Sequence, residues 1–495
     1  MRNSKIPASQ PGSELTPHRF ILAQANELAT NSEKTVHNLT IGNPTALPSL
    51  QVLESRAEKV NDFYISSSGY TDFGGHKALR NKVAQFFKEQ YPKYDLSLDA
   101  DNVIFTVGAQ EAMDTAIKLA DGPVILPGPV FTPYHNVVNN HSKDTIWYDT
   151  TTYNYRISGE LGGKLDRVLE EKFQQSTIED RHNFSATIIL TDPGNPTGYK
   201  QSKEDLDSLA QLLRVKWQNV RVISDSLYLG LTYKPEQKYS FLDAALASNS
   251  EQLLDRVLYV DSCSKVDSFP AARAGYAFST SKELINKMSA KILTSTVHSP
   301  IESQLLVAEC LKARHSYAEH NAQFYEERAK AFAQSLSGQN ILQTEPNASF
   351  YMILDLGFMR NLEVSPAVRS AAAQYFGSDK AVEIILANDG KVGNDPMIAA
   401  LELLYKSNIA TVPILPPIES QYLKIYSEDQ QQQQKCEVRI VATQEPHIMQ
   451  QIGKDILGLK QRLELIDKVR SEVPSYREII NKEDLQSPAS TGFER

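Results

Sequence analysis

From about residue 50 to residue 300, short apolar runs alternate with longer amphipathic stretches. Strands are expected at 102–107, 124–126, 185–190, 220–224, 257–260 and 274–278, each a run of strand length rich in Val, Ile and Leu or aromatic residues. Helices are expected between them, at 109–119, 131–140, 203–215 and 282–293. This alternation predicts an α/β fold with a mainly parallel sheet covered by helices.

After residue 300 the pattern changes. A long helical stretch runs from 301 to about 336, and strands are expected at 350–356, 409–412 and 437–442. Helices are expected at 397–406 and 447–469, so this part reads as a smaller α+β domain. Residues 357–395, with several glycines and one proline, read as an irregular insertion, and Gln430–Gln434 as a solvated low-complexity loop. The expected organisation is an arm and the start of the small domain over 1–50, a large domain over 51–300, a small domain over 301–480 and a flexible tail over 481–495. Within the first segment, 21–30 has helical character, and 39–48 is a loop broken by Gly42, Pro44 and Pro48.

The 495 residues are 41% hydrophobic and 22% charged, which fits a globular protein with a large core. A net charge of −9 argues against nucleic acid or an anionic membrane as partner. Cys263, Cys310 and Cys436 lie too far apart for a metal motif or a disulfide framework, and the amino terminus has no apolar signal region. No apolar run approaches a membrane span. A reducing, cytoplasmic location is expected. No G-x-G-x-x-G follows a strand, the stretch 159–164 lacks P-loop spacing, and neither H-E-x-x-H nor G-x-S-x-G occurs. Dinucleotide, nucleotide triphosphate, zinc-peptidase and serine-hydrolase chemistries lose their support.

Polar clusters gather where strands end, which is where α/β sheets place ligands. Gly108, Ala109 and Gln110 stand between a strand and a helix, and backbone N–H groups at a helix start bind phosphate. T-D-P-G-N-P-T-G at 191–198 follows a strand, and the restricted residues beside Asn195 orient its amide. In V-I-S-D-S-L-Y at 222–228, Asp225 follows an apolar strand and Tyr228 comes three residues later; helix capping is the ordinary use of such an aspartate. D-S-C-S-K-V-D-S-F-P-A-A-R-A-G-Y at 261–276 supplies Ser262, Ser264, Lys265 and Arg273. Taken by itself, this last stretch also fits a polar loop with a solvated lysine.

In this order and at close to these spacings, N-P-T-G, D-x-x-Y, S-x-S-K and R-x-G-Y resemble the class I/II aminotransferase family, pyridoxal 5′-phosphate enzymes of fold type I. The resemblance covers roughly residues 35–450. It implies that Lys265 forms the Schiff base with the cofactor and then carries the proton at the substrate's α-carbon. It implies that Asp225 pairs with the pyridine nitrogen, keeping the ring an electron sink, and that Tyr228 and Asn195 hydrogen-bond the ring's 3′ oxygen. Ser262, Ser264, Arg273 and the amides of Gly108, Ala109 and Gln110 would hold the phosphate, Arg273 with a permanently charged fork. By the same resemblance Phe131 stacks on the ring, and Gly42 lines the substrate side. Arg439, a charged residue inside the apolar run C-E-V-R-I-V-A, needs a partner; a structural salt bridge is one, and the resemblance implies the substrate α-carboxylate. Tyr70 reaches the phosphate of the other subunit, which implies a homodimer.

The resemblance has gaps. I-A-T-V-P-I-L-P-P at 409–417 replaces the family's usual P-G-S-x-F-G turn, so the pocket shape differs. T-S-T-V-H-S-P at 294–300 has no arginine, where dicarboxylate-specific members often supply one; His298 reads as a surface residue. The expected function is transfer of an amino group from an amino acid to a 2-oxo acid. The alternatives are carbon–sulfur lyase or synthase chemistry on the same scaffold, and a regulatory module that kept the fold, which the short polar arm and negative charge disfavour. Cofactor motifs do not separate the first two.

Overall fold

A computed structural model describes residues 16–32, 35–66, 69–94, 96–151, 154–157, 163–386, 390–414 and 435–472. The Gln430–Gln434 run, the first fifteen residues and the tail after 472 lie outside the described residues. The chain divides into two compact units. One comprises 42–329 and 344–352; the other comprises 1–41, 330–343 and 353–495.

The first unit is built on a seven-stranded sheet. In chain order, with β1 (His37–Asn38) belonging to the other unit, its strands are β2 (Val103–Val107), β3 (Val124–Gly128), β4 (Thr145–Asp149), β5 (Ser185–Thr191), β6 (Asn219–Asp225), β7 (Val257–Ser262) and β8 (Ala274–Phe278). The spatial order is β2-β8-β7-β6-β5-β3-β4. β4, β3, β5, β6 and β7 pair in parallel; β8 runs antiparallel between β7 and β2. The expected sheet is therefore present, with one reversed strand.

Successive strand residues face opposite sides, so near-continuous apolar runs imply burial on both faces. Ile188, Leu190 and Val222 pack with Leu206, Leu209 and Leu213 of the helix Lys203–Val215. Ile189 and Ile223 pack on the other side with Met113 and Ile117 of the helix Gly108–Lys118, and with Ile285 and Met288 of the helix Lys282–Leu293. A third cluster joins Leu79, Val83 and Phe87 of the helix Lys77–Gln90 to Leu305, Leu306 and Cys310 of the helix Ile301–Ser335. The sequence pattern changes at residue 300, whereas the unit that holds the large sheet continues through Ala329.

In the other unit, β1 pairs in parallel with β10 (Ile409–Ala410). A three-stranded sheet has the order β11-β12-β9, from β9 (Tyr351–Asp355, of which residues from Ile353 on fall in this unit), β11 (Val412–Pro413) and β12 (Glu437–Val441). The amino-terminal helix spans Pro17–Ser32, starting earlier than expected, because proline is favoured in a first helical turn. The stretch 357–395 is not irregular. It contains the helices Pro366–Phe376 and Asp379–Ile385, the first ended by Gly377 in the left-handed region at φ 86°. No helix among the described residues is long and apolar enough to cross a membrane.

Candidate active site

The carboxyl ends of the parallel strands put the sequence clusters along one sheet edge. Because β8 is antiparallel, its first residue meets the last residue of β2: Ala274 pairs with Val107. Arg273 therefore stands beside Gly108, whose N–H donates to the Arg273 carbonyl at 2.8 Å. Gly108 has φ 68°, and a Cβ there would lie 2.3 Å from Arg273 Nη2. A Cβ on Gly275 would lie 2.4 Å from the Gly108 carbonyl carbon and 2.6 Å from the Ala109 nitrogen. Both glycines are required by close approach. The result is a guanidinium held against the first turn of the helix Gly108–Lys118, where free backbone N–H groups and a permanent cation together suit a phosphate. Gln110 is half-buried in that turn.

Asp225 closes β6, opposite Thr191 at the end of β5. Its carboxylate accepts from the Tyr134 hydroxyl and from Thr191 Oγ1 at 3.0 Å. Burial pushes its pKa up to about 6, against the pull of those two hydrogen bonds. Among the described residues it forms no ion pair. Asp225 thus fits pyridoxal phosphate: a protonated ring nitrogen would supply the missing positive charge, and the Gly108–Arg273 cradle would suit its phosphate.

Lys265 follows β7, partly buried, with Nζ donating to the Gly42 carbonyl at 2.6 Å. Nζ stands 5.9 Å from the Tyr228 ring centroid and 6.0 Å from that of Phe350. Tyr228 is buried, and its hydroxyl lies 3.0 Å from the Tyr351 hydroxyl. Arg314 fixes the lysine loop from behind: it donates to Asp261 before the lysine and, at 2.5 Å, to Asp267 after it. Burial works against that charge, but the two carboxylates outweigh it and hold the Arg314 pKa well above its ordinary value. Ser262 is fully buried, its Oγ accepting the Ser264 N–H at 3.2 Å; Ser264 is buried beside it. Cys263 points into the core, where burial pushes its thiol up.

Asn195 is buried in the loop after β5. That loop is anchored by Lys200, which donates to Asp192 at 2.6 Å, and by Gly198 (φ 67°), where a Cβ would strike the Tyr351 carbonyl at 2.0 Å. Phe131 precedes the helix Pro133–Asn140, which starts later than expected because Pro133 suits a first turn. Its ring meets Tyr134 edge-on at 5.4 Å. Tyr70 is 87% exposed, with its ring edge against His298. Arg439 belongs to the other unit, buried on β12 and donating to the Thr40 carbonyl. His18, in the same unit, is held down at about 4 by burial, then by the charges of Arg439 and Arg19.

Four residues of this arrangement escape the motif reading: Tyr134, Thr191, Arg314 and Tyr351. Thr191 opens the quoted stretch 191–198 and Tyr134 comes three residues after Phe131, where their positions signal them; Arg314 and Tyr351 carry no motif signal.

In sequence and in fold the chain is similar to known proteins. Residues 34–362 match the family model for aminotransferase class I and II. A probable N-acetyl-LL-diaminopimelate aminotransferase of Bacillus subtilis (strain 168) is 31% identical over 247 residues, which is 49% of this chain and 55% of that protein. The 1-aminocyclopropane-1-carboxylate synthase 4 of Arabidopsis thaliana is 27% identical over 305 residues, 58% of this chain and 60% of that protein. The chain thus spans little more than half the length of these two relatives. In fold, the aspartate aminotransferase from Rhizobium meliloti superposes with a TM-score of 0.69 at 19% identity, covering 92% of this chain and 100% of that one. With the model matching about two thirds of its length, the chain belongs to the class I and II aminotransferases, a family dependent on pyridoxal 5′-phosphate.

Proposed function

We propose that the chain is an aminotransferase that moves an amino group from an amino acid to a 2-oxo acid, using Lys265 as covalent attachment point and proton carrier. The observation that supports it best is the row of strand ends that sets Asp225, Lys265 and the Gly108–Arg273 cradle along one sheet edge. Bound pyridoxal phosphate supplies an electron-withdrawing ring that stabilises negative charge on the substrate's α-carbon.

The chain supplies the rest. Asp225 keeps the ring nitrogen protonated, and Tyr134 and Thr191 hold its carboxylate in place. Arg273, the first-turn amides of Gly108, Ala109 and Gln110, and the Ser262–Ser264 turn retain the phosphate. Phe131 covers one ring face; Tyr228 and Asn195 direct donors at the ring oxygen. Lys265 Nζ would hold the cofactor and would serve as the base that carries the proton from the substrate's α-carbon. Arg439 binds the α-carboxylate as a planar fork, with Gly42 leaving room for the substrate. Tyr70 reaches a second copy's phosphate in a cytoplasmic homodimer, and its exposure supports that role.

Borohydride reduction should lock the cofactor onto Lys265, read as a labelled peptide, and Lys265→Ala should abolish label and lower transamination by about 10²–10⁴-fold or more. A single amino donor without oxo acid should convert the bound cofactor once, in stoichiometric amount. Continuous release of ammonia and an oxo acid would instead favour lyase chemistry. The synthase relative, at 27% identity, fits the synthase alternative only weakly.

A further inference from the structure

The hydroxyls of Tyr228 and Tyr351 are 3.0 Å apart in a buried setting, with the rings edge-on at 5.4 Å. Tyr351 is held tightly. Its N–H donates to Ser349 Oγ at 3.2 Å, and Ser349 has φ 56°. The Ser349 carbonyl accepts the Tyr233 hydroxyl at 2.6 Å, and its N–H donates to the Leu231 carbonyl at 2.9 Å. On its other side the Tyr351 hydroxyl abuts Gly42: a Cβ there would lie 2.2 Å from it. The Gly42 carbonyl is the acceptor of Lys265 Nζ. Tyr351 thus touches both groups that flank the lysine, yet no motif contains it.

A phenol has one proton to donate. If Tyr228 donates to Tyr351, it has nothing left for a ligand; if Tyr351 donates, Tyr228 keeps its proton and becomes the stronger donor, because hydrogen bonds in a chain polarise one another. We propose that Tyr351 is a positioning residue whose hydroxyl donates to Tyr228 Oη, so that Tyr228 presents its own proton to the cofactor's ring oxygen. The inference rests on the reading that Lys265 and Tyr228 face pyridoxal phosphate. A donor on the ring oxygen draws off negative charge that otherwise holds the proton on the lysine–cofactor linkage. Weakening that donor therefore makes the linkage lose its proton at higher pH.

The test is a pH titration of the visible absorbance of the holoenzyme for the wild type, Tyr351→Phe, Tyr228→Phe and the double variant. Tyr351→Phe keeps the ring and removes only the hydroxyl. Its midpoint is expected to rise by about half to one pH unit, the scale of one hydrogen bond. Tyr228→Phe should raise it further, and the double variant should match Tyr228→Phe alone, since Tyr351 acts only through Tyr228. An unmoved midpoint in Tyr351→Phe overturns the proposal, as does an additive double variant. Thermal unfolding of each variant checks the alternative of a packing role, which would lower the melting temperature without moving the midpoint and so also counts against it. A wild type with no lysine-linked absorbance defeats the aminotransferase reading itself, a distinct outcome.

Discussion

Burial raises the Asp225 carboxyl from 3.8 to about 6. The folded value lies above the unfolded one, so the folded chain keeps the proton longer, and stability falls as pH rises through that window. Above it the cost of the buried charge is complete. Asp225→Asn should therefore stabilise the cofactor-free protein at about pH 8 by about 1–3 kcal/mol, a gain that vanishes below about pH 4, while transamination falls. Urea unfolding of the two cofactor-free proteins across that range checks this, and an Asp225→Asn protein less stable at the alkaline end would refute it. His18 shows the reverse sign. Its folded value, about 4, lies below 6.5, so the unfolded chain binds the extra proton, and stability is lost as pH falls through that interval. We predict that oxalate bound at Arg439 offsets the repulsion and raises the His18 titration midpoint in histidine NMR; a midpoint unchanged by saturating oxalate would count against Arg439 as the carboxylate site. At this scale the sequence is legible where a polar residue ends an apolar run, as Asp225 and Lys265 do. It is silent where the partner is remote: Tyr134 meets Asp225 across 91 positions, and Tyr351 meets Tyr228 across 123. Nothing local to Tyr351 marks it, because its role depends on which hydroxyl the fold sets against it.

Buried parallel strands announce themselves, since both faces must be apolar; β5, β6 and β7 read directly from Ser185, Val220 and Val257 onward. β4 does not, because this edge strand exposes Asp149 and half-buries Thr145 and Trp147, which weakens its apolar run. The reversal of β8 is equally hidden, for a fully buried run such as Ala274–Phe278 has the same composition in either direction. The helices at Pro366–Phe376 and Asp379–Ile385 were obscured by Gly377, which punctuates a helix end as readily as a loop. The junction of β7 with the helix Ile301–Ser335 carries its own prediction. Arg314 is the cation between two buried carboxylates that bracket Lys265, so Arg314→Met leaves both without their ion pair. Removing one partner of a buried ion pair costs about 3–5 kcal/mol. The deficit should shrink as pH falls, because burial already raises the Asp261 carboxyl and, once unpaired, it takes up a proton in the folded state. Denaturant midpoints at neutral and acid pH measure it, and a pH-independent deficit would mean that packing, not charge, holds the loop.

Single exposed apolar side chains are ordinary, but several on one short stretch are not. Leu47, Leu50, Ile65 and Tyr70 are 83%, 73%, 84% and 87% exposed, and Phe73 follows at 47%. They fall within or beside the helix Leu50–Ser66, whose buried side is represented by Val52. Fully burying one such side chain is worth about 1.5–3 kcal/mol, so four of them supply a driving force that water leaves unused. A twofold interface, in which one patch meets its own copy, uses it without creating open-ended assembly. The same stretch carries Tyr70, so one contact would bury the patch and deliver a hydroxyl to a neighbouring site. We therefore predict that Leu50→Asp with Ile65→Asp yields a folded monomer by sedimentation velocity, retaining its far-ultraviolet dichroism but holding pyridoxal phosphate less tightly on dialysis. Tyr70→Phe separates the two effects: it should leave the dimer intact and weaken cofactor retention by about 10- to 100-fold, the scale of one hydrogen bond to a charged group. A doubly charged variant that stays dimeric places the interface elsewhere on the molecule, and a Tyr70→Phe protein with undiminished retention removes the tyrosine from the phosphate's surroundings.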